Sequence, residues 1–298
     1  MKPIFLSVCI AGIWLILFTV NLQAQEKLRT NIVNLTRTIR GETGVGIKHL
    51  ERGDTLTVRG QGHFPMQSVY KFHLALAVLS EVDQGKLSVE QKVMIRKDDF
   101  IPHTHSPIAD KYPEGNVELT IKELLSYTVA QSDNNGCDIL FRLVGGPKKV
   151  ETFIQHLGVK DVSIANTEEE MHKGWDVQFK NWTTPDAMTQ LLHLFYAKKI
   201  LLPPTHELLM DIMQKTTTGP KRIKGLLPAG TIVAHKTGMG GNDEIIAAIN
   251  DVGIVTLPNG KHIAIAFFIS NTKESVGKLE AVMAKISKLV FDYYTNDE

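Results

Sequence analysis

The amino-acid sequence predicts an α+β fold: an antiparallel sheet flanked by helices, with an all-helical subdomain inserted into it. Three observations predict it. Strand-like runs stand near both ends of the chain, the stretch between them is spaced for helices, and short turn-rich connections join strands within each group. A sheet built from both ends makes residues 25–63 plus 214–298 an α/β subdomain and 64–213 the helical insertion, together one domain.

Taken in order, Met1-Lys2, an apolar run from Ile4 to Val20 and the small residue Ala24 read as a secretory signal peptide over residues 1–24. Lys27–Arg40 then sets Leu28, Ile32, Leu35 and Ile39 at helical spacing. Val45–Leu50 and Thr55–Arg59 are strand-like and flank the turn Arg52-Gly53-Asp54. From Phe64 to Met213 the pattern is almost wholly helical. Within it, Thr120 and Glu123 form a capping box ahead of Ile121, Leu124, Leu125 and Val129. Gly145-Gly146-Pro147 ends one helix and starts another, which closes at Gly158. A polar stretch without periodicity, about 163–181, is expected to be an Ω-type loop. Three more strands are expected at Ile232–Thr237, Gly253–Leu257 and His262–Ser270, and a last amphipathic helix at Ser275–Tyr293.

Composition narrows the function. The chain has 298 residues with 43% hydrophobic and 22% charged, the balance of an ordinary globular protein. The net charge is +1, and loss of Lys2 with the leader leaves none, so no field recruits nucleic acid or an anionic membrane. Of two cysteines, Cys9 lies in the leader, so Cys137 has no internal partner for a disulfide.

Ser68-Val69-Tyr70-Lys71 is an S-x-x-K pattern, which chance supplies about once in a chain of this length. Ser270-Asn-Thr-Lys273 and Ser275-Val-Gly-Lys278 match it too and are read as solvated. Context separates Ser68 from them: it heads an apolar helix, and Lys71 lies one turn on along the same face. A serine hydroxyl needs such a neighbour, because it is a poor nucleophile until a base takes its proton. Ser132-Asp133-Asn134 sits in a loop before a helix, and Lys236-Thr237-Gly238 ends a strand. Each is weak alone; an ordinary turn and a strand exit read the same way. In this order and in these settings they are strong together.

These residues resemble the motif set of class A serine β-lactamases, over the whole mature chain. The resemblance is closest to the PER/VEB-like extended-spectrum subgroup, through Phe64-Pro-Met-Gln-Ser68, Thr216-Thr-Thr-Gly-Pro220, Leu226-Leu-Pro-Ala-Gly230 and Asn181-Trp182-Thr183. It implies the two-subdomain fold of these enzymes and the penicillin-binding proteins. It also implies hydrolysis of penicillins and cephalosporins, oxyimino cephalosporins among them, through a serine acyl-enzyme. Ser68 is then the nucleophile, and Lys71, or Glu168 through a water, its base. Ser132 and Lys236 serve the departing ring nitrogen. Among three consecutive glutamates, Met171-His172 points to Glu168 as the activator of the deacylating water, with Glu169 and Glu170 facing solvent. Lys236, Thr237 and Arg222 receive the substrate carboxylate, Asn134 the side-chain amide, and the backbone N–H groups of Ser68 and Met239, after Gly238, the oxyanion. His172 borders the water and His105 the cleft mouth.

The resemblance implies no cofactor and no metal; His103 and His105 lack a third ligand at recognisable spacing, and Gly41–Lys48 misses the P-loop pattern. It implies small-molecule partners alone, a monomer, a periplasmic location and no stable membrane association once the leader is gone. Two alternatives stay open, a penicillin-binding D-Ala-D-Ala peptidase and a non-catalytic periplasmic binding protein. Four departures stand out, the first being Met239, apolar where many members offer a hydroxyl. His105 replaces an aromatic residue; Asp138 replaces an Asn and puts the Ω-loop's usual bonds in question. Asn166 and Asn181 stand where many members hold an Arg–Asp ion pair.

Overall fold

A computed structural model describes residues 23–296. Most of the expected leader lies outside the described residues; positions 23 and 24 already belong to the first helix, α1 (23–36). Among the described residues no helix is long and apolar enough to cross a membrane.

Strands β1 (Glu42–His49) and β2 (Thr55–Val58) turn at Gly53, whose φ of +83° suits glycine. The short β3 (Phe64–Pro65) leads through a 3-10 turn, Gln67–Val69, into α2 (Tyr70–Asp83). Every residue of α2 from Tyr70 to Leu79 is buried, Lys71 and His73 included, because the helix is apolar on most of its faces and runs through the core. β4 (Lys92–Arg96), α3 (Pro107–Lys111) and β5 (Gly115–Thr120) follow. α4 (Ile121–Ala130) starts at the Thr120–Glu123 box, whose reciprocal bonds are both made. α5 (Asn134–Val144) is capped by the Asp133 carboxylate, which accepts the N–H of Gly136, and it stops at Gly145 in the left-handed region. α6 (Pro147–His156), β6 (Val162–Ser163), α7 (Glu168–Met171) and β7 (Trp182–Thr183) carry the chain around the Ω-loop. α8 (Pro185–Tyr196) and α9 (Pro203–Gln214) complete the helical block. The chain then returns as β8 (Val233–Gly241), β9 (Ile246–Thr256), β10 (His262–Thr272) and α10 (Val276–Asn296).

The five-stranded sheet has the order β2-β1-β10-β9-β8 and is antiparallel throughout, so strands from the two ends of the chain meet at β1 and β10. Successive β10 side chains alternate between its faces. Ile263, Ile265, Phe267 and Ile269 join a core with α1 and α10, whereas Ala264, Ala266 and Phe268 join the core around α2. Burial on both faces explains the near-continuous apolar run in that strand.

Three expectations need correction. The stretch from Phe64 to Met213 is not wholly helical: β4 pairs with β5, and β3, β7 and β6 form a small sheet. In β4 only Ile95 is fully buried, between the exposed Met94 and Arg96, so its sequence carries little strand signal. β9 starts at Ile246 instead of Gly253, because Asn250 and Asp251 are buried with partners of their own. Ser270 is not solvated but buried in β10, whereas Ser275 is exposed.

Candidate active site

Ser68 lies in the 3-10 turn that feeds α2, so its position is set by the most deeply packed helix of the molecule. Lys71, one turn on, is fully buried. Its Nζ donates to Ser68 Oγ at 3.0 Å, to the Ser132 carbonyl at 2.8 Å and to Asn134 Oδ1, and lies 3.0 Å from Glu168 Oε1. One ammonium thus ties together three chain segments, 68–71, 132–134 and the Ω-loop. A buried charge is tolerated on such terms only, paired and hydrogen-bonded.

From the opposite side Lys236 Nζ donates to Ser132 Oγ at 3.0 Å and to the Thr237 carbonyl at 2.8 Å. Burial, then the charge of Lys71, pushes the Lys236 ammonium well below the usual lysine range. Ser132, between the two lysines, has a φ of +61°, and Gln67 beside the nucleophile has +47°. Non-glycine residues held in this region are strained, and such strain concentrates at functional sites. Asp133 faces away from the cleft: its carboxylate accepts from Ser106 Oγ and from the N–H groups of Ile108 and Gly136. Asn134 Nδ2 donates to Thr104 Oγ1 at 2.6 Å.

β8 runs hard against the 3-10 turn. A Cβ on Gly238 would collide with the Met66 carbonyl, and one on Gly240 with the Gln67 amide, so glycine there lets the Met239 backbone approach Ser68. Asn250 of β9 fixes the same approach by donating to the Pro65 and Met66 carbonyls at 2.8 and 3.0 Å. The resulting cleft, about 240 Å³, brings Ser68, Ser132, Asn134, Thr237 and Gly238 together with His105, Arg222 and Met239. The exposed His105 ring meets the Gln131 carbonyl through Nε2 at 2.8 Å.

Two residues at the far end carry no signal of their own in the sequence. Thr218 Oγ1 lies 2.5 Å from Thr237 Oγ1, and Glu280 of α10 accepts from Arg222 Nε at 3.2 Å. The Thr216–Thr218 run supported the family resemblance without pointing to one hydroxyl. Glu280 is an ordinary helix-face glutamate until the fold brings it there.

Glu168 is buried on the Ω-loop while Glu169 is exposed. Glu170 does not simply face solvent: its carboxylate accepts the Thr167 N–H, closing the cap of α7. Asp138 supplies bonds to the loop, its two oxygens accepting the N–H groups of Glu168 and Glu169 at 2.8 and 2.9 Å. Burial pushes that carboxyl up to about 6. His172 stands outside the cleft lining and meets the Glu168 carbonyl through Nδ1 at 2.7 Å. Asn181 does not pair with the Asn166 side chain. Its Oδ1 accepts the N–H groups of Ala165 and Asn166, and its Nδ2 donates to the Asn166 carbonyl. Among the described residues no three His, Cys, Asp or Glu converge as a metal ion requires.

Comparison with known proteins agrees with this geometry. A model of the Beta-lactamase enzyme family matches residues 26–294. The chain is 46% identical over 274 residues to Beta-lactamase VEB-1 of Pseudomonas aeruginosa, covering 91% of each chain. It is 38% identical to Extended-spectrum beta-lactamase PER-1 of the same organism, over 90% of this chain and 86% of the other. The crystal structure of TLA-1 extended-spectrum β-lactamase superposes with a TM-score of 0.89 at 52% identity, covering 91% of this chain and 99% of that one.

Proposed function

The chain belongs to the β-lactamase enzyme family, as a class A serine enzyme that hydrolyses β-lactams, and from that premise we propose how its residues divide the work. Lys71 in its neutral form accepts the proton of Ser68 Oγ, while Glu168, 3.0 Å away, remains a carboxylate. The freed oxygen attacks the lactam carbonyl, whose developing charge is met by the Ser68 and Met239 N–H groups. The C–N bond breaks, and the ring nitrogen takes the Ser68 proton from Lys71 through Ser132, whose hydroxyl is held by Lys236, which leaves Lys71 neutral again. Thr237, Thr218 and Arg222 hold the substrate carboxylate, and Asn134 its side-chain amide. Glu168 next removes a proton from water, which attacks the ester and returns Ser68 to its starting state. The carrying observation is the unbroken contact from Ser68 through Lys71 to Glu168. A peptidase on this fold has no use for a carboxylate buried there.

The relatives titled extended-spectrum, together with a loop held without an Arg–Asp pair, support acceptance of oxyimino cephalosporins. The leader-like residues 1–24 support export to the periplasm. The purified mature chain is expected to turn over nitrocefin, benzylpenicillin and ceftazidime, and Ser68→Ala to lose both turnover and labelling by a fluorescent penicillin. A stoichiometric burst without turnover points to the peptidase; labelling that persists in Ser68→Ala removes Ser68 as nucleophile. A ceftazidime kcat/KM more than about a thousandfold below that for benzylpenicillin, some 4 kcal/mol of discrimination, overturns the broad substrate range.

A further inference from the structure

Met239 contributes more than a backbone N–H. Its side chain is 49% exposed at the cleft mouth, an unusual place for a large apolar residue. Its Sδ lies 3.7 Å from Arg222 Nη2. Arg222 is itself buried and already engaged on its other nitrogens. Nε donates to Glu280 Oε1, and Nη1 donates to the Asn250 carbonyl at 2.9 Å and the Gly238 carbonyl at 3.4 Å. The nitrogen left to serve the cleft is Nη2, and its partner among the described residues is a thioether.

That partner is a poor match. A thioether sulfur is a weak acceptor, whereas a guanidinium edge matches a carboxylate, with charge-assisted bonds roughly twice as strong as neutral ones. We propose that the Met239 side chain is a specificity-determining cap on Arg222: it occupies Nη2 in the free enzyme and must be displaced by the substrate carboxylate. The proposal rests on the reading of Arg222 as a carboxylate-binding group. Met239 suits the part physically. It is unbranched and half in solvent, and Gly240 and Gly241 follow it at a break in the β8–β9 register, so its side chain can swing without disturbing packed neighbours. The Thr218–Thr237 hydroxyl pair needs no such displacement. A carboxylate can therefore dock on the threonines first, and the cap decides how readily it gains the arginine as well.

A double-mutant cycle tests this. KM for benzylpenicillin is measured for the wild type, Met239→Ala, Arg222→Ala and the double variant. The inhibition constant of benzylpenicillin methyl ester against nitrocefin is measured for the first two. Truncating the cap is expected to lower KM about three- to tenfold while Arg222 is present, to leave it unmoved when Arg222 is absent, and to leave the ester's constant unmoved. The ester arm stands even where Arg222→Ala fails to fold. A KM that falls equally for acid and ester makes Met239 a simple obstruction and overturns the cap. A KM that rises makes it an apolar contact for substrate and overturns it too. If Arg222→Ala alone leaves KM for the acid unchanged, it is the carboxylate reading of Arg222 that fails, a result separate from either of these.

Discussion

The two walls of the cleft are held by different physics. On one, Ser68, Lys71 and Lys236 sit on the 3-10 turn before α2, on α2 and on β8, in or beside a core whose side chains are almost fully shielded from water. Moving any of them means opening packed apolar surface, at about 1.5–3 kcal/mol per large side chain. On the other, Glu168 rides a four-residue helix whose position depends on a few bonds from side chains to backbone, chiefly from Asp138 and Asn181. The groups assigned to acylation thus inherit the rigidity of the core. The group assigned to deacylation inherits that of two side chains, and damage at a distance is expected to reach deacylation first.

The sharpest test of this contrast removes chemistry from the loop wall and leaves its shape. Glu168→Gln keeps the side-chain volume but cannot accept the proton of the attacking water. Acylation by penicillin is expected to continue and deacylation to fall by about 10²–10⁴, so that mass spectrometry finds an accumulated adduct on Ser68. Accumulation with Glu169→Gln or Glu170→Gln instead places the active carboxylate elsewhere in the acidic run.

The core wall has one weak point. His73 on α2 is fully buried, and burial, only partly offset by the Val69 backbone, lowers it from 6.5 to about 4. The unfolded chain takes up this proton below 6.5 and the folded chain only near 4. Stability therefore falls as pH falls through that window and is whole above it. The loss attributable to His73 is about 2 kcal/mol at pH 5 and about 3 kcal/mol once the window is crossed. His73→Leu is expected to flatten the pH dependence of urea unfolding by that amount between pH 7 and 5. An unchanged slope places the acid sensitivity of this wall elsewhere.

This difference between the walls also decided what could be read from the sequence. Ser68, Lys71, Ser132, Asn134 and Lys236 were legible because each sits at a fixed offset from a helix start or strand end, and short-range geometry is written in local spacing. Asn250 and Asp251 misled the placement of β9, since polar residues look like a strand's end when their buried partners, the Pro65 and Met66 carbonyls and His235, lie far away in sequence. Ser270 misled in the same way. Thr218 and Glu280 were silent because their roles arise from contacts 19 and 58 residues apart along the chain. Asp138 was visible as a departure from the family pattern, but the two N–H groups it holds were not.

Asp138 also permits the finest test of the comparison. Burial raises its carboxyl from 3.8 to about 6, the opposite direction to His73. Its contribution to stability is thus present below 3.8 and lost as pH rises through 6, when a charge must be carried in a shielded site. That cost is borne by a group with a task. The ionised carboxylate accepts both loop N–H groups, whereas the neutral acid turns one oxygen into a donor facing an N–H. Asp138→Asn makes that change permanent, because an amide offers one acceptor oxygen and a nitrogen that cannot accept. One charge-assisted hydrogen bond to the loop is lost, about 1.5 kcal/mol, and if all of it is felt at Glu168 deacylation slows roughly tenfold while acylation changes little. Stopped-flow measurement of both steps from pH 5 to 8 separates the contributions. The quantity compared is the wild-type to variant ratio of deacylation rates at each pH. That ratio is expected to be largest at pH 8 and to shrink as pH falls through about 6, where the wild type comes to resemble the variant. Equal deacylation rates at pH 8 would mean that the loop holds its glutamate without Asp138, and that the two walls differ less than their hydrogen bonds suggest.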